Sequence, residues 1–115
     1  MLLRYGIGIS ELTKSSMIET TRKMAQALDG VSAIYGMGSY FLEQPFNDVD
    51  LVVIVSPTKR PLAALGSEIR TALAPLSQIT GAPLDITIFT ETEFFTRPLR
   101  DMHTLVPIYS ASSQP

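Results

Sequence analysis

Three aspartates, Asp48, Asp50 and Asp85, carry the chemistry that this 115-residue sequence suggests. Asp48 and Asp50 stand two residues apart at the head of an unbroken apolar run, Leu51-Val52-Val53-Ile54-Val55. Residues two apart on a strand share a face, which puts the two carboxylates roughly 6.5 to 7 Å apart along the backbone. Two like charges held that way repel each other. A divalent cation between them removes the cost, and hard oxygen ligands at this spacing suit Mg²⁺ or Mn²⁺. Asp85 opens a second apolar run, Leu84 to Phe89. If that strand lies beside the first, all three carboxylates converge at one end of the sheet. Upstream, Gly38-Ser39 closes the turn Gly36-Met37-Gly38-Ser39. Free backbone amides and a hydroxyl in such a turn can hold phosphate oxygens. A phosphate holder beside a metal cluster spells phosphoryl or nucleotidyl transfer.

The elements that must position these groups alternate along the chain. Met17, Thr21, Met24 and Leu28 recur at helical spacing. Ser16 and Glu19 have capping-box spacing, Ser10 offers an earlier start, and Gly30 supplies a left-handed stop. Val31 to Tyr35 reads as a short strand running into the glycine turn, and Tyr40 to Glu43 as one helical turn that Pro45 ends. The β-branched run after Asp50 predicts a strand buried on both faces. A second long helix follows, with Pro61 in its first turn, Leu62, Leu65, Ile69, Leu73 and Leu76 on its core face, and Pro75 kinking or ending it. After the Leu84 to Phe89 strand, Thr90 and Glu93 again have capping-box spacing and start a short helical stretch that Pro98 divides. Leu105 to Tyr109 reads as an edge strand, because Pro107 cannot donate to a ladder. The expected fold is α/β in the α+β sense: a small mixed sheet with helices packed mainly on one face. Residues 1–109 form one domain, and 110–115 a frayed polar tail.

Composition narrows the field. The chain is 45% hydrophobic and 17% charged, which excludes disorder and leaves apolar surface for a partner or a second copy to cover. Nine basic against eleven acidic residues give a net charge of −2, without the basic excess that strong nonspecific nucleic-acid binding needs. There is no cysteine, hence no disulfide framework, thiolate metal site or thiol nucleophile. The run Leu2 to Ile9 is short, interrupted by Arg4 and followed by no cleavage pattern, so it reads as mature chain, and no stretch is long enough to span a membrane. The default compartment is the cytoplasm.

Taken together, Gly38-Ser39, eight intervening residues, Asp48-Val49-Asp50 running into Leu51 to Val55, and Asp85 opening a later strand resemble the minimal nucleotidyltransferases of the DNA polymerase beta superfamily. The resemblance covers nearly the whole chain, since Glu91 to Phe95 and the closing Val106-Pro107-Ile108-Tyr109 also fit that family's ending. It implies a Gly38-Ser39 turn gripping a nucleoside triphosphate, ATP by expectation. It further implies that Asp48 and Asp50 bind two Mg²⁺ ions, and that Asp85 binds one of them and helps deprotonate the acceptor hydroxyl. The spacing of eight is at the short end of the family range, and Tyr40 stands where many members have a small or basic residue. Larger members carry a further domain that presents the acceptor. Here the size is similar to that of the antitoxins encoded beside HEPN-domain toxins, which implies a protein acceptor, the toxin itself, that receives AMP.

Each feature has a plainer reading. Asp-x-Asp alone is an ordinary solvated strand start, and Gly-Ser alone is a turn. Their order, the buried strand and the third acid make the case together. Arg97, Arg100, Lys59 and Arg60 read first as solvated surface, His103 has no role, and of Phe94 and Phe95 at least one must be buried. An inactive nucleotide- or toxin-binding antitoxin module is the alternative function, and a structural or homo-oligomeric domain a third.

Overall fold

The computed structural model describes residues 6–96 and 105–111, with side chains from residue 14 onward. The expectations for Pro98, Arg97, Arg100 and His103, and for the last four residues of the tail, fall outside these. Helix α1 spans Gly6–Ala27, strand β1 Val31–Met37, β2 Val49–Val55, α2 Leu62–Leu73, α3 Leu76–Thr80, β3 Leu84–Thr90, α4 Glu91–Thr96 and β4 Val106–Ser110. The four strands form one sheet in the order β3-β2-β1-β4. β1 runs antiparallel to both β2 and β4, and β2 runs parallel to β3. This is the small mixed sheet that the helix and strand signals imply.

Alternation along β2 divides the molecule into two sides. Val49, Leu51, Val53 and Val55 join the main core, with Met17 and Ala25 from α1, Leu65, Ile69 and Leu73 from α2, and Leu76 from α3. Val52 and Ile54 point to the other face, where Phe94 of α4 covers them beside Tyr35 and Phe89. Three helices thus cover one face and a short fourth covers part of the other. β2 is buried on both faces, as its β-branched run requires. Tyr35 stacks on Phe94 with ring centroids 5.6 Å apart, while its neighbour Phe95 is 77% exposed.

Several local expectations change. Ser16 does not cap α1: the helix begins ten residues earlier, at Gly6, so Ser16 lies in its interior and Glu19 instead approaches Arg22 at 3.8 Å. The core stripe continues through the caplike spacing, and packing of Met17 and Thr21 decides the helix, with Thr21 donating to the Met17 carbonyl at 2.6 Å. Leu62 is not core; it is half exposed on the first turn of α2, one turn short of where the helix meets the sheet. Pro75 does end α2, whose last residue is Leu73, but its fixed φ also suits the start of α3, so Leu76 opens a separate short helix. β1 extends beyond Tyr35 to Met37, and β4 runs on through Ser110, where the tail was expected to begin; Ser110 pairs with Ala33. Pro107 sits in the edge strand β4, as its missing donor demands. The Thr90–Glu93 capping box is formed reciprocally. Glu93 N–H donates to Thr90 Oγ1 at 3.1 Å, and Thr90 N–H donates to Glu93 Oε1 at 2.9 Å.

Candidate metal and phosphate site

β2 and β3 are paired in register, with Val49 beside Leu84, Asp50 beside Asp85 and Leu51 beside Ile86. The valines of β2 fix that register, because a slip of one residue would send Val49, Leu51, Val53 and Val55 to the wrong side of the sheet. Asp50 and Asp85 are therefore neighbours on the less covered face, and Asp48 joins them from just ahead of β2. One carboxylate oxygen from each of the three lies within 4.8 Å of the others. The trio foreseen in the sequence is assembled in space.

Its electrostatics are those of a set awaiting a cation. Asp48 and Asp85 are exposed and Asp50 is half-buried. Burial, and then the charges of Asp48 and Asp85, push the Asp50 carboxyl above the usual carboxylate range. Among the described residues no lysine or arginine forms an ion pair with any of the three. Three hard oxygen donors gathered this closely fit a divalent ion such as Mg²⁺.

The glycine turn closes one side of the cluster. Gly38 has φ +82°, in the left-handed region, and a Cβ built there would stand 2.6 Å from Asp50 Oδ2. Glycine is required twice over, by backbone conformation and by the carboxylate that fills the space where a side chain would go. Gly36, just upstream, lies under the Phe41 ring, where a Cβ would come within 2.5 Å of ring carbons. From Gly38 the chain makes overlapping hydrogen-bonded turns over 39–43 where a helical turn was expected at Tyr40 to Glu43: the Gly38 carbonyl accepts from Phe41 N–H and Leu42 N–H, and the Ser39 carbonyl accepts from Gln44 N–H at 3.0 Å, spacings too mixed for a regular helix. Among the described residues the N–H groups of Ser39 and Tyr40 donate to no protein acceptor, so they and the Ser39 hydroxyl remain available beside the acids. Glu43 takes φ +58° and approaches Lys14 at 4.0 Å.

Tyr40 does not enter the site. Its ring is buried in the main core, edge-on to Phe41 at 5.0 Å and to Phe46 at 4.8 Å, with Lys14 Nζ 5.6 Å above it. Burial raises the phenol above its ordinary value, and the hydroxyl finds no hydrogen-bond partner among the described residues. The bulky residue after Ser39 is an anchor for the turn. Sequence reasoning missed this because the following Phe41 and Phe46 signal a cluster only once the turn folds them together.

Lys59 and Arg60 lie beyond the other end of β2. The seven residues of that strand span roughly 20 Å at about 3.3 Å each, so neither belongs to the acid end, and Arg60 is held by Glu68 at 2.8 Å on the surface. The plainer reading of both is the right one.

No family model matches the chain, and no curated protein matches it. Among solved structures it is similar to a Sulfolobus solfataricus protein provisionally assigned as a nucleotidyltransferase: 13% sequence identity, a TM-score of 0.54, and coverage of 91% of this chain and 90% of that one. The chain has the nucleotidyltransferase fold. At that identity the likeness concerns architecture alone; the three aspartates beside the glycine turn are a feature of this chain. Among the described residues no helix is long and apolar enough to cross a membrane.

Proposed function

We propose that the protein is a metal-dependent nucleotidyltransferase that moves a nucleoside monophosphate, AMP from ATP, onto an acceptor hydroxyl. The observation that carries this reading is the convergence of Asp48, Asp50 and Asp85 within 4.8 Å beside a glycine turn. The fold it shares with the Sulfolobus protein supports the same class. Bound divalent ions, two Mg²⁺ with Mn²⁺ as a substitute, would neutralise the attacking and departing oxygens of an in-line displacement at the α-phosphorus, from which pyrophosphate leaves.

The chain's own residues have distinct parts. Asp48 and Asp50 hold cations, with Asp50 fixed by β2 and by the glycine packed against its carboxylate. Asp85, exposed and on the neighbouring strand, would hold one of the ions and is the group to help take the hydroxyl proton. The free N–H groups at Ser39 and Tyr40 and the Ser39 hydroxyl donate to triphosphate oxygens. Gly38 keeps the turn close enough for both duties.

The acceptor in this reading is another protein, of the kind represented by a HEPN-type toxin, in the cytoplasm. The decisive experiment incubates the protein with Mg²⁺, ATP labelled at the α-phosphate and such a partner. Label is expected on the partner, with pyrophosphate released in equal amount, and both are expected to vanish in Asp48→Ala and Asp50→Ala proteins that retain their helical circular dichroism. Transfer that persists in both variants would overturn the assignment.

A further inference from the structure

Among the described residues β3 is an edge strand of the sheet with no strand on its outer side. In a parallel ladder alternate residues send both their N–H and C=O to the same side, and three contacts fix which residues of β3 face outward. The Pro83 carbonyl accepts from Val49 N–H at 2.9 Å, so odd-numbered positions turn toward β2. The Ile86 carbonyl accepts from Arg70 Nη2 at 3.1 Å, and Thr90 N–H donates to Glu93, so even-numbered positions turn outward. Leu84, Ile86, Ile88 and Thr90 therefore present the edge.

Two clefts of about 290 and 280 Å³ run along this edge and meet at Arg70. Leu84 and Ile86 line one; Leu62, Gly66, Ile88 and Glu93 line the other. Leu62, half exposed and without a core role, stands over the second. Arg70 is exposed and, among the described residues, touches no carboxylate.

We infer that a second copy of this chain docks here, β3 against β3, in antiparallel pairing about a two-fold axis at Thr87. The strand is self-complementary in that register. Outward-facing Ile86 and Ile88 exchange both N–H···O=C bonds with the partner's Ile88 and Ile86, and their side chains meet as β-branched pairs on the helix-covered face. On the other face Thr87 meets its own copy, a favourable cross-strand pair. Charge agrees as well. Arg70, at the level of Ile86, leaves that carbonyl to the incoming strand and reaches the partner's Glu93, whose capped Thr90 lies one two-residue step along, roughly 7 Å away. The Thr90–Glu93 capping box stays intact, because Glu93 uses one oxygen for it. The product is a continuous eight-stranded sheet with a site at each end of its central strands, and it covers the apolar surface that the composition leaves over.

The absence of cysteine makes the test direct. Thr87 opposite Thr87 is a non-hydrogen-bonded pair, with Cα atoms about 4.5 Å apart, within the span a disulfide bridges. Mild oxidation of a Thr87→Cys protein is expected to give a reductant-sensitive covalent dimer within minutes, while Lys59→Cys, an exposed loop control, stays monomeric. Sedimentation velocity of the unmodified protein is expected to show dimer growing in by about 100 μM, the weak range of a short edge interface. Arg70→Glu sets two acids against each other and is expected to return it to monomer, with the melting curve reporting that the fold survives. If Thr87→Cys crosslinks no faster than Lys59→Cys, or if Arg70→Glu raises association, Arg70 is a plug that keeps the edge solitary and the dimer is wrong.

Discussion

The two faces of the sheet are made by the same strand and do opposite things. On the face covered by α1, α2 and α3, β2 contributes Val49, Leu51, Val53 and Val55, buried to a few per cent or less. On the other it contributes Asp50, whose carboxylate is held near two more of its own sign. On its covered face β2 presents only apolar side chains, whereas the acid-bearing end would not assemble unaided, since its charges oppose its own formation. The repulsion at Asp48, Asp50 and Asp85 is held by apolar burial one residue away along the chain. The acidic cluster is a cantilever: its position is fixed by side chains of the same strand that point to the opposite face.

The sharpest way to break the contrast is at the acids. Asp50→Ala is expected to lower Mg²⁺-dependent transfer by about a thousandfold or more, the several kcal/mol that charge stabilisation supplies. The thermal midpoint should not fall, as checked by label transfer and a melt on the same preparation. Leu51→Ala, its immediate neighbour, is expected to do the reverse. It costs about 2–5 kcal/mol of stability, a large part of the roughly 5–15 kcal/mol such a domain possesses, and urea titration will show it. Activity per folded molecule should persist at low denaturant.

Gly38→Ala joins the two faces in one substitution. A left-handed alanine costs about 1–2 kcal/mol, and its methyl displaces the Asp50 carboxylate. Transfer is expected to fall at least tenfold, more than the loss of stability accounts for, and the affinity for Mg²⁺ by calorimetry should fall with it.

A subtler effect concerns pH. Burial first, then Asp48 and Asp85, raise the Asp50 carboxyl in the folded state, so without metal the folded chain holds this proton more tightly than the unfolded chain. Its contribution to stability is then greatest at and below the ordinary aspartate range, falls as pH rises through the raised folded value, and is a constant cost above it. Asp50→Asn is expected to flatten that slope and to melt above the parent protein at neutral pH without metal, with Mg²⁺ reversing the order; melts across pH 3 to 8 with and without Mg²⁺ check it. The smallest effect is at the far end of the sheet. Thr90→Ala removes one half of the α4 capping box for about 1 kcal/mol and should leave transfer unchanged.

How much of this was legible in the sequence follows from the same contrast. The strand holding Asp50 declared itself because four consecutive β-branched residues can only be buried on both sides, and the α4 capping box because a local pairing decides it. Whether Asp85 shares a face with Asp50 was not legible, since register is set by the pairing of β2 with β3, whose partners Asp50 and Asp85 are 35 residues apart in sequence. Ser16 misled for the opposite reason. A local cap signal was present, but Met17, Thr21 and Ala25 pack as one stripe and carry α1 through it. Tyr40 was read by type when its role is set by Phe41 and Phe46, aromatic partners that the turn alone brings to it. Leu62 fitted the helical period and still lies outside the core, because period says which face a residue is on and not how far the covering sheet reaches.

The segment from Ser56 to Pro61 leaves the sheet at the end remote from the aspartates and is mostly exposed. Extra sequence grafted there, an epitope or a tether, would lengthen a surface loop at small entropic cost while the parallel ladder keeps Asp50 and Asp85 side by side. The protein thus carries its own attachment point, one at which cargo can be added without retuning the chemistry at the other end.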